Sequence, residues 1–245
     1  MIIDGKKIAE EVVEGLKQKP APKKFLAVFL VGNNPASASF VRQKEKTAKE
    51  LKLDFRIYNF PADITNDKLR GEVSKIALNK RCGGAIVQLP LPNHLNWYYI
   101  LNVIPREKDV DVLGERALGA FYNSRNPILP PAVGTVEKIL TSLDYELNNK
   151  RVEVVGLGML VGKPISLWLE RKARDLVLLR KGSDFSILKT CDLVITGVGS
   201  PGLIKSEMLK NGAGVIDFGY GEGGGEVIGD LDTSSSLSSL LFYTP

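Results

Sequence analysis

The sequence predicts an α/β protein with two α/β domains, the second of Rossmann type with a mostly parallel sheet. Strand and helix patterns alternate in both halves of the 245 residues, which is the order of elements typical of parallel sheets. A glycine-rich turn joins a strand to a helix in the second half. A polar, proline-rich stretch at 123–131 separates the halves, and placing the junction there predicts domains of residues 1–130 and 131–245.

Each element of the first half is predicted from its apolar spacing or from its turn residues. Apolar residues three or four positions apart indicate a helix, and short apolar runs between turn residues indicate a strand. The predicted elements are a helix at 5–18, a doubly buried strand at 25–32, a helix at 37–51, a strand at 54–60, a helix at 66–78 and a strand at 83–92 that enters a proline-stiffened loop. We expect Ser37 or Ser39 to cap the second helix and Thr65 or Asn66 the third, because small polar residues are good caps.

The second half repeats this alternation. Its predicted elements are a strand at 151–155, a helix with Pro164 in its first turn, and strands at 176–179, 193–196 and 214–217. Proline suits a first helical turn because the N–H that it lacks has no partner within the helix there. The glycines of 221–225 predict a hairpin tip, and the small polar residues of 233–239 predict weak order.

Composition excludes several kinds of partner. The chain has 33 Lys and Arg against 28 Asp and Glu, a net charge of +5, with 44% hydrophobic and 25% charged residues. This is the balance of a soluble globular protein, and the excess positive charge is spread along the chain. It suits a small anion and gives little support to nucleic-acid binding. The longest apolar run, at 25–31, is far shorter than the ~20 residues that span a bilayer, so we expect a cytoplasmic protein without membrane contact.

Residue counts also exclude several chemistries. His94 is the single histidine, so a zinc site built on several histidines is impossible and a Ser-His-Asp triad would need this residue. We interpret His94 as a loop residue packed beside Trp97. Cys82 and Cys191 are far apart and in no metal or redox spacing. We expect buried reduced thiols and no metal site.

A G-x-G-x-x-x-G pattern at Gly156, Gly158 and Gly162 lies between the strand at 151–155 and the next helix. Glycines there let the backbone approach a pyrophosphate, and the helix N-terminus supplies amide donors. The spacing is one residue longer than the usual G-x-G-x-x-G. The pattern therefore favours a dinucleotide site, with a glycine turn needed only for packing as the alternative.

The end of the next strand bears on which dinucleotide binds. A carboxylate at that point contacts the ribose 2′-hydroxyl of NAD, whereas basic residues accommodate the 2′-phosphate of NADP. The strand at 176–179 is followed by Arg180, Lys181 and Ser183, with no acid before Asp184. Two cations and a hydroxyl favour NADP, although NAD is possible and a solvated turn is the alternative.

A second group of candidate residues lies in the first half. Gln88 ends an otherwise apolar strand, at the edge where ligands bind in open α/β sheets. A buried amide needs partners, and a lysine is one possible donor. Lys44 follows Phe40 by four residues, so both project from the same helix face, although a helical lysine is usually a surface residue. Asp111, with Asp109 two residues before it, lies in a loop where alternating acids are more often surface charges.

The chain resembles the bifunctional methylenetetrahydrofolate dehydrogenase/methenyltetrahydrofolate cyclohydrolase family over essentially its whole length. The segments that carry the resemblance occur in family order, and VQLPLP with KDVD is highly specific. They are Asp4-Gly5-Lys6, VGNNPAS (31–37), GAIVQLPLP (84–92), PREKDVDV (105–112), VGKP (161–164), GVGSPGLI (197–204), GAGVIDFG (212–219) and GDLD (229–232).

The resemblance implies a folate cleft between two domains, a nicotinamide cofactor on the second domain, and a homodimer formed through that domain. It implies oxidation of 5,10-methylenetetrahydrofolate with NADP to the methenyl cation, and hydration of that cation to 10-formyltetrahydrofolate. Lys44 would be the catalytic lysine, Gln88 the amide that tunes it, and Asp111 the ligand of the pterin ring. A lysine beside a cationic substrate has its ammonium form disfavoured, so it could take a proton from the attacking water.

The resemblance also implies binding residues. Phe40 would stack on the aminobenzoyl group of the folate. The remaining substrate-binding residues implied are Pro90, Leu91 and Pro92. Those implied for the cofactor are Gly156, Leu157, Gly158, Gly162, Pro164, Arg180, Lys181, Ser183, Gly197 and Gly199.

The sequence departs from the family pattern in several places. Phe40 stands where the family has tyrosine, which removes a hydroxyl worth roughly 1 kcal/mol if it is bonded. The other departures are Gly156-Leu157-Gly158 for Gly-Arg-Ser, Arg180-Lys181 for His-Ser, Asp111-Val112 for Asp-Gly, and Pro130-Pro131-Ala132-Val133 for Pro-Cys-Thr-Pro. Family members continue beyond Thr-Pro into a loop and a final helix, whereas this sequence ends at 244–245. A shortened chain, a tail outside the given sequence and a protein lacking part of its site all stay open.

Two further functions stay open from the residues. The missing Arg-Ser pair is compatible with a cyclohydrolase of weak or absent dehydrogenase activity. Phe40 and the missing tail are compatible with a non-catalytic folate- or nucleotide-binding protein. A shikimate-type dehydrogenase would share the two-domain architecture, but VQLPLP and KDVD argue against it.

Overall fold

A computed structural model describes residues 1–223, 226–234 and 236–244. The chain forms two compact units. The N-terminal unit is Glu10–Pro130, and the C-terminal unit is Met1–Ala9 together with Pro131–Pro245. The first nine residues group with the C-terminal unit because Ile2 pairs with Tyr243 and the Ile3 amide donates to the Tyr243 carbonyl. The division into domains of residues 1–130 and 131–245 stays a prediction.

The elements up to residue 130 surround a small parallel sheet. They are α1 (Gly5–Lys17), β1 (Phe25–Val31), α2 (Pro35–Glu50), β2 (Phe55–Phe60), α3 (Asn66–Ala77), β3 (Cys82–Val87), α4 (Trp97–Leu101) and α5 (Glu115–Tyr122). The sheet has the order β2-β1-β3, and both pairings are parallel. The central strand β1 is largely buried along its length, as its continuous apolar sequence predicts.

The caps of two helices explain where these helices begin. The Thr65 hydroxyl accepts a hydrogen bond from the Lys68 amide, so the expected cap of α3 is confirmed. The expectation for α2 is wrong. Asn34 is the cap, and its side-chain oxygen accepts from the Ser37 amide at 2.9 Å. Pro35 opens the helix because its fixed φ suits the first turn, and Ser37 is buried inside the helix.

The elements after residue 130 surround a larger parallel sheet. They are α6 (Pro131–Ser142), β4 (Arg151–Val155), α7 (Gly162–Leu169), β5 (Asp175–Leu179), β6 (Leu193–Thr196), β7 (Gly214–Asp217), β8 (Gly221–Gly223), β9 (Glu226–Ile228) and β10 (Phe242–Tyr243). Five strands form one sheet in the order β10-β7-β6-β4-β5, with parallel pairings. The predicted α/β class with a Rossmann-type second sheet is confirmed.

The glycine-rich hairpin and the polar segment after it are only partly described. Strands β8 and β9 pair antiparallel. Residues 224 and 225, at the predicted hairpin tip, lie outside the described residues, as does residue 235 in the segment predicted to be weakly ordered. Among the residues that the structure describes, no helix combines the length and the apolar character needed to cross a membrane.

The order of the larger sheet creates a topological switch point. The chain passes from β4 to β5 on one side and then returns to place β6 on the other side of β4. Ligands of open α/β sheets bind at such a point, beyond the carboxyl ends of the two diverging strands. The loops that follow β4 and β6 are therefore the expected walls of a binding crevice.

A buried carboxylate lies inside this sheet. Glu153, on β4, is fully buried, and its Oε2 accepts a hydrogen bond from the Cys191 Sγ at 3.2 Å. Its Oε1 has no hydrogen-bond partner among the described residues. Burial raises the pKa of Glu153, although the Cys191 hydrogen bond and the Arg151 charge act against the rise. Both cysteines are free and buried, as predicted.

We predict that Glu153→Gln reduces the pH dependence of stability. Because the pKa of Glu153 is raised in the folded state, this side chain keeps its proton to higher pH in the folded chain than in the unfolded chain, where it ionises near pH 4.5. The free energy of unfolding then falls as pH rises from there through the raised pKa. Urea unfolding from pH 4 to pH 8 should show a shallower fall in the variant. Glu146→Gln, at an exposed position, is the control, and equal slopes in wild type and Glu153→Gln would contradict the prediction.

Candidate functional site

At the carboxyl end of β3, the side-chain amide of Gln88 lies next to helix α2 and has partners for both its oxygen and its nitrogen. Gln88 follows β3 directly, is 9% exposed, and its backbone amide donates to the Phe29 carbonyl. Its side-chain Oε1 accepts a hydrogen bond from the Lys44 Nζ at 3.1 Å, and its Nε2 donates to the Leu89 carbonyl at 2.8 Å. The structure thus brings Lys44 and Gln88 together and holds the half-buried amine at the edge of the sheet.

Asp111 lies within electrostatic reach of the same amine. Burial raises the pKa of Asp111, the Lys44 charge lowers it, and the Asp109 carboxylate raises it again. A carboxylate so placed is drawn to a partner that can donate hydrogen bonds or carry positive charge. Lys44, Gln88 and Asp111 therefore form one cluster within the N-terminal unit, which we name the lysine cluster.

Two further segments border the lysine cluster. Phe40 lies one helical turn before Lys44 on α2 and is 45% exposed. The loop after Gln88 contains Pro90, Leu91 and Pro92, with a cis peptide bond between Leu89 and Pro90. These three residues are partly or fully exposed. Phe40 and the loop thus supply apolar surface next to the polar cluster.

Asp109 differs from the expectation of a surface charge. It is only 2% exposed, and its Oδ2 accepts hydrogen bonds from the amides of Leu113 at 3.0 Å and Gly114 at 2.7 Å. The alternation of acids in KDVD was the available sequence signal. It did not show which acid is turned inward, because that depends on the loop conformation.

Two of the three motif glycines are required by packing. Gly156 has φ +86°, and a Cβ there would lie 2.9 Å from the Val198 Cγ2. A Cβ on Gly162 would overlap the carbonyl oxygen of Gly156. A Cβ on Gly158 would have no neighbour within 4 Å among the described residues. The backbone at Gly158 is therefore open to an approaching group, in the turn that precedes α7.

The rest of this turn is built around the first turn of α7. Helix α7 begins at Gly162, and Pro164 is buried in its first turn. Leu157 is half-buried. The N-terminus of a helix attracts anions through its dipole and its amide donors. The turn from Gly156 to Gly162 thus fits a pyrophosphate by its open backbone and by its place at the switch point.

The loop after β6 is held by a carboxylate that the sequence reasoning missed. Asp230 is fully buried and accepts hydrogen bonds from the Val198 amide, the Ser200 amide and the Thr196 hydroxyl, at 2.7, 2.7 and 2.6 Å. This fixes the segment that contains Gly197 and Gly199, the latter with φ +75°. The segment GDLD carried the signal, but the contact spans about thirty residues and is invisible to local patterns.

The turn after β5 presents two cations. Arg180 and Lys181 are exposed, and neither forms a salt bridge with a described residue. The Arg180 amide donates to the Ser183 Oγ at 3.1 Å, which leaves the hydroxyl proton free to bind an anion. The carboxylate of Asp184 is engaged by Ser186. The turn therefore offers two positive charges and a hydroxyl, as the residues predict for a phosphate.

The single histidine is placed in a structural contact. His94 Nε2 lies 3.1 Å from the carbonyl oxygen of Ile64, and the nearby Trp97 ring stacks on Tyr98. Within the described ranges no three His, Cys, Asp or Glu side chains are grouped so that they could hold a metal ion.

Comparison with known proteins gives a consistent family match. Residues 3–111 match the family model for the tetrahydrofolate dehydrogenase/cyclohydrolase catalytic domain, and residues 130–245 match that for its NAD(P)-binding domain. The bifunctional FolD proteins of Halothermothrix orenii and Aquifex aeolicus are 35% and 34% identical to the chain. All of this chain is covered in both cases, with 90% and 88% of the respective relatives.

Solved structures agree with the sequence match. The bifunctional FolD enzyme of Campylobacter jejuni superposes with a TM-score of 0.96 at 28% identity, and covers 100% of this chain and 90% of its own. The Trypanosoma brucei methylenetetrahydrofolate dehydrogenase-cyclohydrolase, solved with NADP and an inhibitor, superposes with a TM-score of 0.91 at 27% identity and the same coverage.

We predict that Asp230→Ala destabilises the C-terminal unit and weakens dinucleotide binding. The change leaves two loop amides without their acceptor, at about 1–3 kcal/mol for each buried group. Thermal unfolding should shift to lower temperature, and calorimetry at a temperature where the variant is folded should show weaker NADP binding. Glu207→Gln, an exposed acid of the same unit, is the control. Unchanged NADP affinity in a folded Asp230→Ala variant would contradict the role of this carboxylate in holding the loop.

Proposed function

The chain belongs to the tetrahydrofolate dehydrogenase/cyclohydrolase family, and from this premise we propose which of its residues carry the family's two reactions. It acts in one-carbon folate metabolism, oxidising 5,10-methylenetetrahydrofolate to 5,10-methenyltetrahydrofolate with NADP and hydrolysing the product to 10-formyltetrahydrofolate. The observation that carries the proposal is the hydrogen bond between Lys44 and Gln88, with Asp111 within reach of the same amine.

Lys44 is the proton acceptor of the hydration step. The methenyl carbon is cationic, so a neighbouring ammonium is disfavoured and the neutral amine is favoured. The neutral amine removes a proton from water as the water oxygen attacks the methenyl carbon, and the resulting ammonium still donates to Gln88. Ring opening then releases the formyl product, and the proton on Lys44 is available to the departing nitrogen.

Gln88 and Asp111 orient the reacting groups. The side-chain carbonyl of Gln88 holds the Lys44 Nζ at 3.1 Å, and its own amide nitrogen is fixed by the Leu89 carbonyl. This prevents the amine from turning toward solvent. Asp111 accepts hydrogen bonds from the polar edge of the pterin ring. Phe40 stacks on the aminobenzoyl ring, and Pro90, Leu91 and Pro92 provide the apolar wall beside it.

The C-terminal unit binds the dinucleotide by its own glycine turn. The open backbone at Gly158 and the N-terminus of α7 would hold the pyrophosphate, and Gly197 and Gly199 form the facing loop at the switch point. NADP, when bound, would supply the hydride acceptor for the methylene carbon. Arg180 and Lys181 would hold the 2′-phosphate, with the Ser183 hydroxyl as a further donor.

The assembly and location follow from the family. The chain forms a homodimer through its second domain and works in the cytoplasm. The support is the resemblance to family members. The exposed Leu178 on the edge strand β5 is compatible with an interface in that domain, because unpaired edge strands are protected by a partner or by charge.

We predict that Lys44→Met abolishes hydration of methenyltetrahydrofolate. Removal of a general base costs about 100- to 10,000-fold in rate, and methionine preserves the length of the side chain. The rate is measured by the loss of methenyltetrahydrofolate absorbance. Lys46→Met, an exposed lysine on the same helix, should leave it within about twofold of wild type. A folded Lys44→Met variant with wild-type hydration would refute the assignment of the base.

We predict that the double substitution of Arg180 and Lys181 by alanine reduces NADP affinity about 10- to 100-fold, because charge-assisted contacts to the 2′-phosphate are lost. NAD affinity should change by less than about twofold, since NAD lacks this phosphate. Calorimetric titration with each nucleotide measures both. Lys189→Ala, an exposed lysine of the same unit, is the control. An equal loss for NAD and NADP would show that the two cations do not contact the 2′-phosphate.

A further inference from the structure

The residue after Asp111 has an unfavourable backbone conformation. Val112 has φ +55° and is 1% exposed. The left-handed region is disfavoured for residues with a Cβ and most of all for β-branched ones. A valine is held there only when the surrounding contacts impose the conformation.

Asp109 supplies these contacts. Its carboxylate accepts from the amides of Leu113 and Gly114, and its backbone carbonyl accepts from the Val112 amide at 3.3 Å. Burial raises the pKa of Asp109, and the backbone amides of residues 111–114 act against the rise. The loop from Asp109 to Gly114 is thereby closed into a ring.

The ring is held at both of its ends. At the C-terminal end the Glu115 amide donates to the Asn102 Oδ1 at 2.8 Å. Asp109 pairs with Ala85 of β3 in an isolated parallel bridge. The Val110 side chain fills the space above Gly84, where a Cβ would lie 2.8 Å from the Val110 Cγ1. Because both ends are held, a change of φ at Val112 has to be compensated by the neighbouring torsions of the loop. The orientation of Asp111 therefore depends on whether the left-handed turn at Val112 is kept.

We propose that Asp109 is a positioning residue for the folate reactions. Its carboxylate holds Val112 in the left-handed conformation and so keeps Asp111 facing the Lys44 amine. The proposal rests on the proposed role of Asp111 as the ligand of the pterin ring. It assigns to Asp109 no contact with the substrate. Without its carboxylate the turn relaxes toward a conformation that valine prefers, and Asp111 turns away from the lysine cluster.

The test combines Asp109→Asn with Val112→Gly. Asp109→Asn should raise the KM for methylenetetrahydrofolate by about tenfold or more through the loss of charge-assisted bonds, with a smaller change in kcat and an unchanged KM for NADP. Val112→Gly alone should leave the KM close to wild type. The double variant should recover most of the loss, because glycine adopts a positive φ without being held there. A merely structural role would not give this rescue.

Hydrogen exchange provides a measurement that does not depend on activity. Asp109→Asn should speed exchange of the amides of residues 111–114, and Val112→Gly should restore the pattern of the folded turn in the remainder of the loop. Asp63→Asn, an exposed acid of the same unit, should change neither exchange nor KM. If Asp109→Asn does not fold, Val112→Gly is compared with the double variant. Both have glycine at position 112, which adopts a positive φ without support, so the proposal expects a similar KM and similar exchange in the two.

The outcomes separate the two proposals. An Asp111→Asn variant with a wild-type KM for folate would overturn the role of Asp111, and the role of Asp109 with it. If Asp111→Asn raises the KM while Asp109→Asn does not, only the positioning role fails. If Asp109→Asn raises the KM but Val112→Gly gives no rescue, the carboxylate acts otherwise than through the turn, and the proposal is likewise overturned.

Discussion

The hydrogen bond from Lys44 to Gln88 is the interaction on which the proposed chemistry depends. Gln88 is buried at the end of β3, so its side-chain oxygen would be costly to leave without a donor. The donor comes from α2, the helix that follows β1, and its amine is thereby kept at the sheet edge instead of in solvent. A requirement of folding, the satisfaction of a buried amide, thus places a base where ligands of such sheets bind.

Buried carboxylates provide the second level of organisation. Asp109 in one unit and Asp230 in the other each accept hydrogen bonds from backbone amides of a loop that borders a proposed binding site. A loop gains few backbone hydrogen bonds of its own, and an inward carboxylate satisfies two or more of its amides at once. In both units, therefore, a buried acid that is not proposed to contact the ligand supports the loop of the residues that are.

The sequence predicted the features that depend on local pattern. The apolar run of β1, the Thr65 cap and the buried thiols are of this kind. The amide at the end of a strand predicted that Gln88 needs a donor such as a lysine, whereas the choice of Lys44 came from the family resemblance. The inward turn of Asp109, the role of Asp230 and the pairing of Ile2 with Tyr243 depend on contacts between distant parts of the chain. The Asn34 cap was missed because Ser37 offered an equally good local cap.

In the glycine motif, the structure distinguishes the glycines that packing requires from one that it does not, which the sequence pattern alone could not do. The pattern alone is compatible with a ligand site and with a turn needed only for packing. Packing requires glycine at positions 156 and 162. A Cβ on Gly162 would overlap the carbonyl oxygen of Gly156, so the close approach of these two residues fixes how many residues lie between them. Gly158 has no such neighbour among the described residues and no positive φ. Packing therefore does not require glycine at this position, which supports the proposal that a pyrophosphate approaches its backbone.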